Sequence, residues 1–202
     1  MATIGLDKLY YAPITLDNDG KETYGTPVQL AKAISAELSV ELNEAVLYAD
    51  DGQAESVKEF KSGTISLNID EFKPAHVAAL LGAEVDENDV LVSRGEDNPN
   101  YVAIGFRAKK SNGKYRYFWL YRVQFAIPGT SLTTKGDSIT FSTPTIEGTI
   151  FQRVKPDGKS KHPWKAEITE DGTNATIVGA WYTTVYEPDY TGSSQSQSQT
   201  QE

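Results

Sequence analysis

The sequence contains no cysteine, one methionine and two histidines among 202 residues. Without thiols there can be no disulfide, no cysteine-bound zinc or iron–sulfur cluster, and no thiol nucleophile. His76 and His162 lie far apart, and neither falls in an HExxH pattern, a nucleophile elbow or a triad arrangement. Glycine-rich phosphate loops are missing as well. The oxygen-rich stretches Asp50-Asp51-Gly52 and 86–89 lack the spacing of a twelve-residue calcium loop. Neither an enzyme, nor a metal site, nor a cofactor is expected. No run of 18 or more apolar residues occurs, and no basic segment precedes a short apolar core, so a soluble chain without membrane span or signal peptide is expected.

Positive charge is scarce: Lys and Arg number 19 against 28 Asp and Glu, for a net charge of −9. The first hundred residues hold 19 of the acids and only 7 of the bases. A protein that grips a phosphate backbone needs clustered cations, and Lys109, Lys110, Lys114 and Arg116, which flank one turn, read as a solvated hairpin tip. Specific nucleic-acid binding is not expected.

What the chain does have is short apolar runs punctuated by Gly, Pro, Asn and Asp, the pattern of a β-rich domain. Residues 34–42 alternate Ile34, Ala36, Leu38, Val40 and Leu42 with Ser35, Glu37, Ser39 and Glu41, and residues 64–69 repeat the rhythm with Ile65, Leu67 and Ile69 facing in. Between them, residues 43–63 read as a long polar connection. Pro74, Val77, Leu80, Leu81 and Gly82 mark a short amphipathic helix. A hairpin across 110–114 joins strands over 101–108 and 115–127, the second aromatic on one face with Phe118 and Leu120 on the other. Further strand material is expected over 139–141, 144–153 and 175–186. Residues 1–30 read as an N-terminal arm, 31–190 as one β-domain, and 191–202 as a Ser/Gln tail too polar to order itself.

Four stretches, residues 5–12 (GLDKLYYA), 36–52 (AELSVELNEAVLYADDG), 60–82 (FKSGTISLNIDEFKPAHVAALLG) and 104–129 (IGFRAKKSNGKYRYFWLYRVQFAIPG), carry a resemblance that covers most of residues 5–150. The chain resembles the major tail tube proteins of long-tailed, non-contractile bacteriophages. The resemblance implies a mainly β, tail-tube-type sandwich or barrel with one short helix on its side. It also implies a subunit that forms hexameric rings, stacked into the hollow conduit of the virion tail after synthesis in the host cytoplasm. The partners implied are other copies of the chain, a tape-measure protein, tail-tip and terminator proteins, and genomic DNA in transit.

On that expectation the lumen candidates are the small and acidic sets Ser35, Glu37, Ser39 and Glu41, then Thr64, Ser66, Asn68 and Asp70, with Thr145, Glu147 and Thr149 as a third row. Carboxylates and hydroxyls would repel a duplex weakly and so let it pass, where cations would hold it. The candidates for ring stacking lie in the 43–63 connection: Tyr48, Asp50, Asp51, Gly52, Glu55, Lys58 and Phe60. Two rivals remain from the residues alone. Trp164, Trp181 and Tyr182 could form a sugar platform on a carbohydrate-binding β-sandwich. A β-rich hydrolase would instead need paired carboxylates converging in a cleft.

Overall fold

The computed structural model describes residues 2–18, 20–49, 52–129 and 143–188. Five strands come first: β1 (Thr3–Leu16), β2 (Glu22–Tyr24), β3 (Val28–Ala31), β4 (Ala33–Ala49) and β5 (Gly52–Ile69). Helix α1 (Pro74–Leu81) and the small pair β6 (Glu84–Val85) and β7 (Leu91–Val92) follow. The chain continues through β8 (Tyr101–Lys110), β9 (Tyr115–Phe125), β10 (Thr145–Phe151), β11 (Lys165–Thr169) and α2 (Ala175–Ala180).

One nine-stranded sheet runs in the order β2-β1-β8-β9-β10-β5-β4, with β11 also on β9 and β3 also on β1. Every pairing is antiparallel. The two ends of that order meet, because β3 pairs with β1 at Leu9–Ala31 while β4, paired with β5, begins after Lys32 alone. The sheet therefore curls into a barrel that is closed at this crossing. Asp70 fixes the crossing: Lys32 N–H donates to Asp70 Oδ1 at 2.9 Å, and Asp70 N–H donates to the Lys32 carbonyl at 3.1 Å.

The barrel interior is filled by Leu9, Leu30, Ile65, Leu67, Ile69, Val102, Ile104, Leu120, Val123, Ile146 and Ile150, all buried. Each such side chain contributes about 1.5–3 kcal/mol by leaving water. Helix α1 covers one end with Leu80 and Leu81. Pro74 starts it, where no N–H is needed, and Gly82 stops it at φ 72°, where a Cβ would fall 2.2 Å from the Asn98 carbonyl oxygen. A second cluster lies outside the barrel wall: Tyr117, Trp119 and Tyr121 are covered by Trp181 and Val185, and Trp119 Nε1–H donates to the Trp181 carbonyl at 3.0 Å. A register shift between Val102 and Ile104 lets β9 serve both clusters, with Tyr121 outward and Val123 inward.

The expectation of a mainly β chain with one short helix at 74–81 agrees with this structure, and so does the hairpin of β8 and β9. Residues 3–31 are not an arm but three strands of the sheet. Their alternation is hidden by a bulge after Asp7, where Lys8 sits at φ 52°. Residues 43–49 and 52–63 are not a loop but the paired continuation of β4 and β5, again masked by shifts at Glu41–Leu42 and Leu47–Tyr48. Residues 175–186 hold α2 and turns in place of a strand. The strand expected at 139–141 and the tail at 191–202 lie outside the described residues.

Candidate assembly surface

Residues opposite each other on antiparallel strands share a face, so register decides which side chains meet. Ser35 pairs with Asn68 and Asn68 with Thr145; Glu37 pairs with Ser66 and Ser66 with Glu147; Ser39 pairs with Thr64 and Thr64 with Thr149. Glu41 and Ser62 extend the first two columns. The structure thus gathers the candidates of three separate segments into one polar patch on the outside of the barrel wall. Its partners in the alternation, Ile65, Leu67, Ile146 and Ile150, point into the core and lock the register, since a one-residue slip would turn them to water.

Within the patch, Asn68 Nδ2–H donates to Thr145 Oγ1 at 3.0 Å, and Lys61 Nζ lies 3.3 Å from Glu41 Oε2 at its border. No Lys or Arg stands in the three rows, so carboxylates and small hydroxyls set its character. Asp70 does not join them. It lies beyond the end of β5, and its Oδ1 accepts the N–H groups of Lys32 and Glu71, each at 2.9 Å. Its work is to hold the crossing from β3 to β4.

The border of the patch is β4, 17 residues long, whose outer edge has no ladder partner among the described residues. Sequence alternation puts Ile34, Leu38, Val40 and Leu42 in the core. Instead Leu38 is 37% exposed, Val40 39% and Leu42 55%, because the barrel wall opposite them stops short. Ile34 is exposed too, at a bulge between Ala33 and Ser35. Long, apolar, unpaired edges are what folded proteins cover or pair.

Past Gly63, β5 loses its contact with β10, and the two strands pair only with each other as far as Ala49 and Gly52. They form a ribbon that projects roughly 25 Å at 3.3 Å per residue. Glu44 and Lys58 face each other across it at 3.2 Å, while Val46 and Val57 are exposed. A two-stranded ribbon is marginal alone in water and gains from a surface to lie on. Of the stacking candidates, Lys58 is on this ribbon, and Tyr48, Gly52 and Glu55 occupy backbone positions on it. Asp50 and Asp51 lie outside the described residues. Phe60 is no docking residue: it turns inward at the root of the ribbon and stacks on Trp164, ring centres 4.7 Å apart and 9° from parallel.

That stack also removes one member of the aromatic platform. Trp181 is 2% exposed in the outer cluster, and Tyr182 stacks on Tyr10 at 4.6 Å, so Trp164, Trp181 and Tyr182 never share a surface. His76 meets Tyr11, ring edge to face, and burial with nearby Lys73 holds its imidazole below the ordinary value. His162 Nδ1 lies 3.1 Å from the Arg153 carbonyl oxygen. Among the described residues no group of His, Asp and Glu is arranged to hold a metal, and no helix is long and apolar enough to cross a membrane.

One cluster left no trace in the sequence pattern. Glu22, fully buried, accepts Val154 N–H at 2.7 Å and Lys155 N–H at 3.3 Å, with Arg122 Nη1 at 3.2 Å from its other oxygen. Arg153, also buried, reaches Glu187 at 3.3 Å and stands 5.1 Å from the Tyr121 ring centre. The cluster ties β2, β9, the 153–156 segment and the end of the described chain together. Glu22 sits in a turn-rich stretch where an acid ordinarily means exposure, so nothing marked it.

No protein-family model matches the chain, and no curated protein matches it. Among solved structures, it is similar to the cap that terminates the tube of the anti-feeding prophage, determined by cryo-electron microscopy. That likeness covers 84% of this chain and 93% of the other, at 11% sequence identity and a TM-score of 0.41, too slight to bear on function.

Proposed function

We propose that this chain is the structural subunit of a bacteriophage tail tube, which assembles with copies of itself into rings, hexameric by the family resemblance, that stack into a hollow DNA conduit. The observation that carries the reading is the union of two features on the same wall: a bare patch of carboxylates and small hydroxyls, and a 17-residue edge strand whose outer edge has no ladder partner among the described residues. A patch of this kind suits a wall that must not hold its cargo. An edge of this kind suits a subunit whose sheet is continued by a neighbour.

The polar patch spans β4, β5 and β10. Six subunits giving three strands each, about 4.8 Å apart and tilted about 40°, close a backbone barrel about 36 Å across, and four strands each give about 48 Å. Either leaves room for a duplex after side chains. Glu37, Glu41 and Glu147 then face a passing phosphate backbone within a Debye length of about 8 Å, where like charge opposes adhesion. The tape-measure, terminator and tail-tip proteins are the further partners this role requires, and the virion tail is its place.

The test is negative-stain electron microscopy of the purified protein over a range of concentration, alone and with tail-initiation components, beside a Glu37→Lys/Glu147→Lys variant. Rings or tubes are expected from both, with DNA retained only by the variant. A compact monomer under every condition would refute the tube. Tubes that hold DNA equally in both forms would refute the lining.

A further inference from the structure

The barrel does not close along its whole length. Strand β3 is bonded to β1 over Leu9–Tyr11, but β4 then departs toward the ribbon and leaves the outer edge of β1 from Thr3 to Lys8 without a ladder partner among the described residues. Between the diverging strands lies a wedge-shaped slot of about 390 Å³, lined on its apolar side by Leu6, Ala36, Phe106, Ala108 and Phe118. On the same two strands Ile4, Leu38 and Val40 are exposed. Lys110, opposite Thr3 and on the same face of β8 as Phe106 and Ala108, stands at its mouth, and its ammonium group has no ion-pair partner among the described residues. An apolar slot with a cationic rim calls for an apolar plug with an anionic collar.

The same chain carries one at the other end of the barrel. Strand β8 starts beside α1, where Asn100 N–H donates to the Leu80 carbonyl at 3.0 Å, and reaches the slot at Ala108 after seven residues, with Lys110 about 30 Å from its start. At the α1 end stands the hairpin of β6 and β7. Its turn is held rigid by Asp86, whose Oδ1 accepts Asn88 N–H and Val90 N–H, both at 2.8 Å. Val90 is 52% exposed and Val92 37%, and Glu87 and Asp89 beside them have no cation partner among the described residues.

We infer that the slot between β1 and β4 receives the β6–β7 hairpin of a second copy, with Val90 and Val92 in the apolar wedge and Glu87 and Asp89 against Lys110. The inference rests on the tube reading and supplies its axial contact. Two different surfaces at opposite ends of one molecule make a head-to-tail joint, which repeats without limit along an axis instead of closing on itself. Each joint is small, but every ring contributes as many of them as it has subunits, so weak contacts add. Opposed charge at the rim fixes the orientation of stacking and speeds encounter, and salt weakens it.

The absence of native cysteine allows a direct test. Thr3→Cys and Val90→Cys are placed in one chain, and the protein is concentrated until microscopy shows rings or tubes, then treated with a mild oxidant. A ladder of disulfide-linked dimers, trimers and longer chains is expected, while each single variant stops at the dimer. In parallel, Lys110→Glu should raise the concentration needed for half-maximal assembly about tenfold, and adding Glu87→Lys/Asp89→Lys to it should restore assembly. Rings or tubes without a ladder, or a charge reversal that the second pair fails to rescue, overturn the joint and leave the tube standing. A monomer at every concentration, without a ladder, overturns the tube reading and the joint together.

Discussion

Replacing Glu22 with Ala should be among the most damaging changes available in this chain. Its carboxylate is 0% exposed, and it faces an Arg122 side chain only 15% exposed, at 3.2 Å. Removing one member of a buried pair leaves the other charge uncompensated, at about 3–5 kcal/mol. Two backbone N–H groups, of Val154 and Lys155, lose their acceptor as well. For a domain of this length, such a loss lowers Tm by roughly 6–20 °C. Glu22→Gln separates the contributions: the amide oxygen can still accept Val154 N–H, so the hydrogen bonds survive and the charge alone is lost, and about half the penalty is expected. Glu22→Leu combined with Arg122→Leu should recover most of the stability, since an apolar pair leaves no orphan charge. Urea unfolding followed by tryptophan fluorescence gives each value, with an unchanged m as the sign that stability alone has moved. A loss below about 1 kcal/mol for Glu22→Ala would mean that water reaches the carboxylate and that the cluster is not buried in solution.

Other consequences follow from close approaches and burial. A Cβ at Gly148 would lie 2.8 Å from Val123 Cγ1 and 2.9 Å from the Phe125 ring, and one at Gly105 would lie 2.8 Å from the Trp119 ring, so alanine at either site should cost about 1–3 kcal/mol in urea unfolding. Burial raises the Tyr24, Tyr121 and Tyr182 hydroxyls far above their ordinary 10.0. The fold favours their neutral forms, so this stabilisation is complete below pH 10 and is lost as pH rises above it. In a spectrophotometric titration of phenolate, these three should ionise only together with unfolding. Cutting the ribbon back at Glu44 and Lys58, with a two-residue turn in its place, should leave the unfolding free energy within about 0.5 kcal/mol and abolish assembly, because among the described residues Phe60 alone of the ribbon packs on the core. Normal tubes from the shortened chain would refute the role given to it.

Much of the barrel was legible because its core strands keep strict alternation. Ile65, Leu67 and Ile69 are all fully buried, and the small polar residues between them all lie on one outer face. Pro74 and Gly82 bounded α1 for backbone reasons that any context preserves. What failed to show was set by bulges and by the open end. The shifts at Lys8 and Glu41 break the period of two, so β1 reads as an arm and the ribbon as a loop. Alternation in β4 correctly named a face but not its burial, which depends on whether a wall stands opposite. In the segment 175–186, the β-branched and aromatic residues that suggest a strand serve the outer cluster from a short helix and turns. Asp70 looked like one more member of a polar row, and only the crossing at Lys32 revealed its task.

The one-residue step at Lys32 that closes the barrel also sets an order of events in folding. The ribbon joins residues close in sequence, from Ala49–Gly52 outward, while β1 finds β8 across about a hundred positions, as Asp7 does Arg107. Local pairings form fast and distant ones slowly. On the ribosome, the β6–β7 hairpin is made before the slot beside β1, which cannot exist until β8 and β9 have been made. A subunit acquires its two ends at different times, so a growing chain can offer its hairpin before it can receive another's.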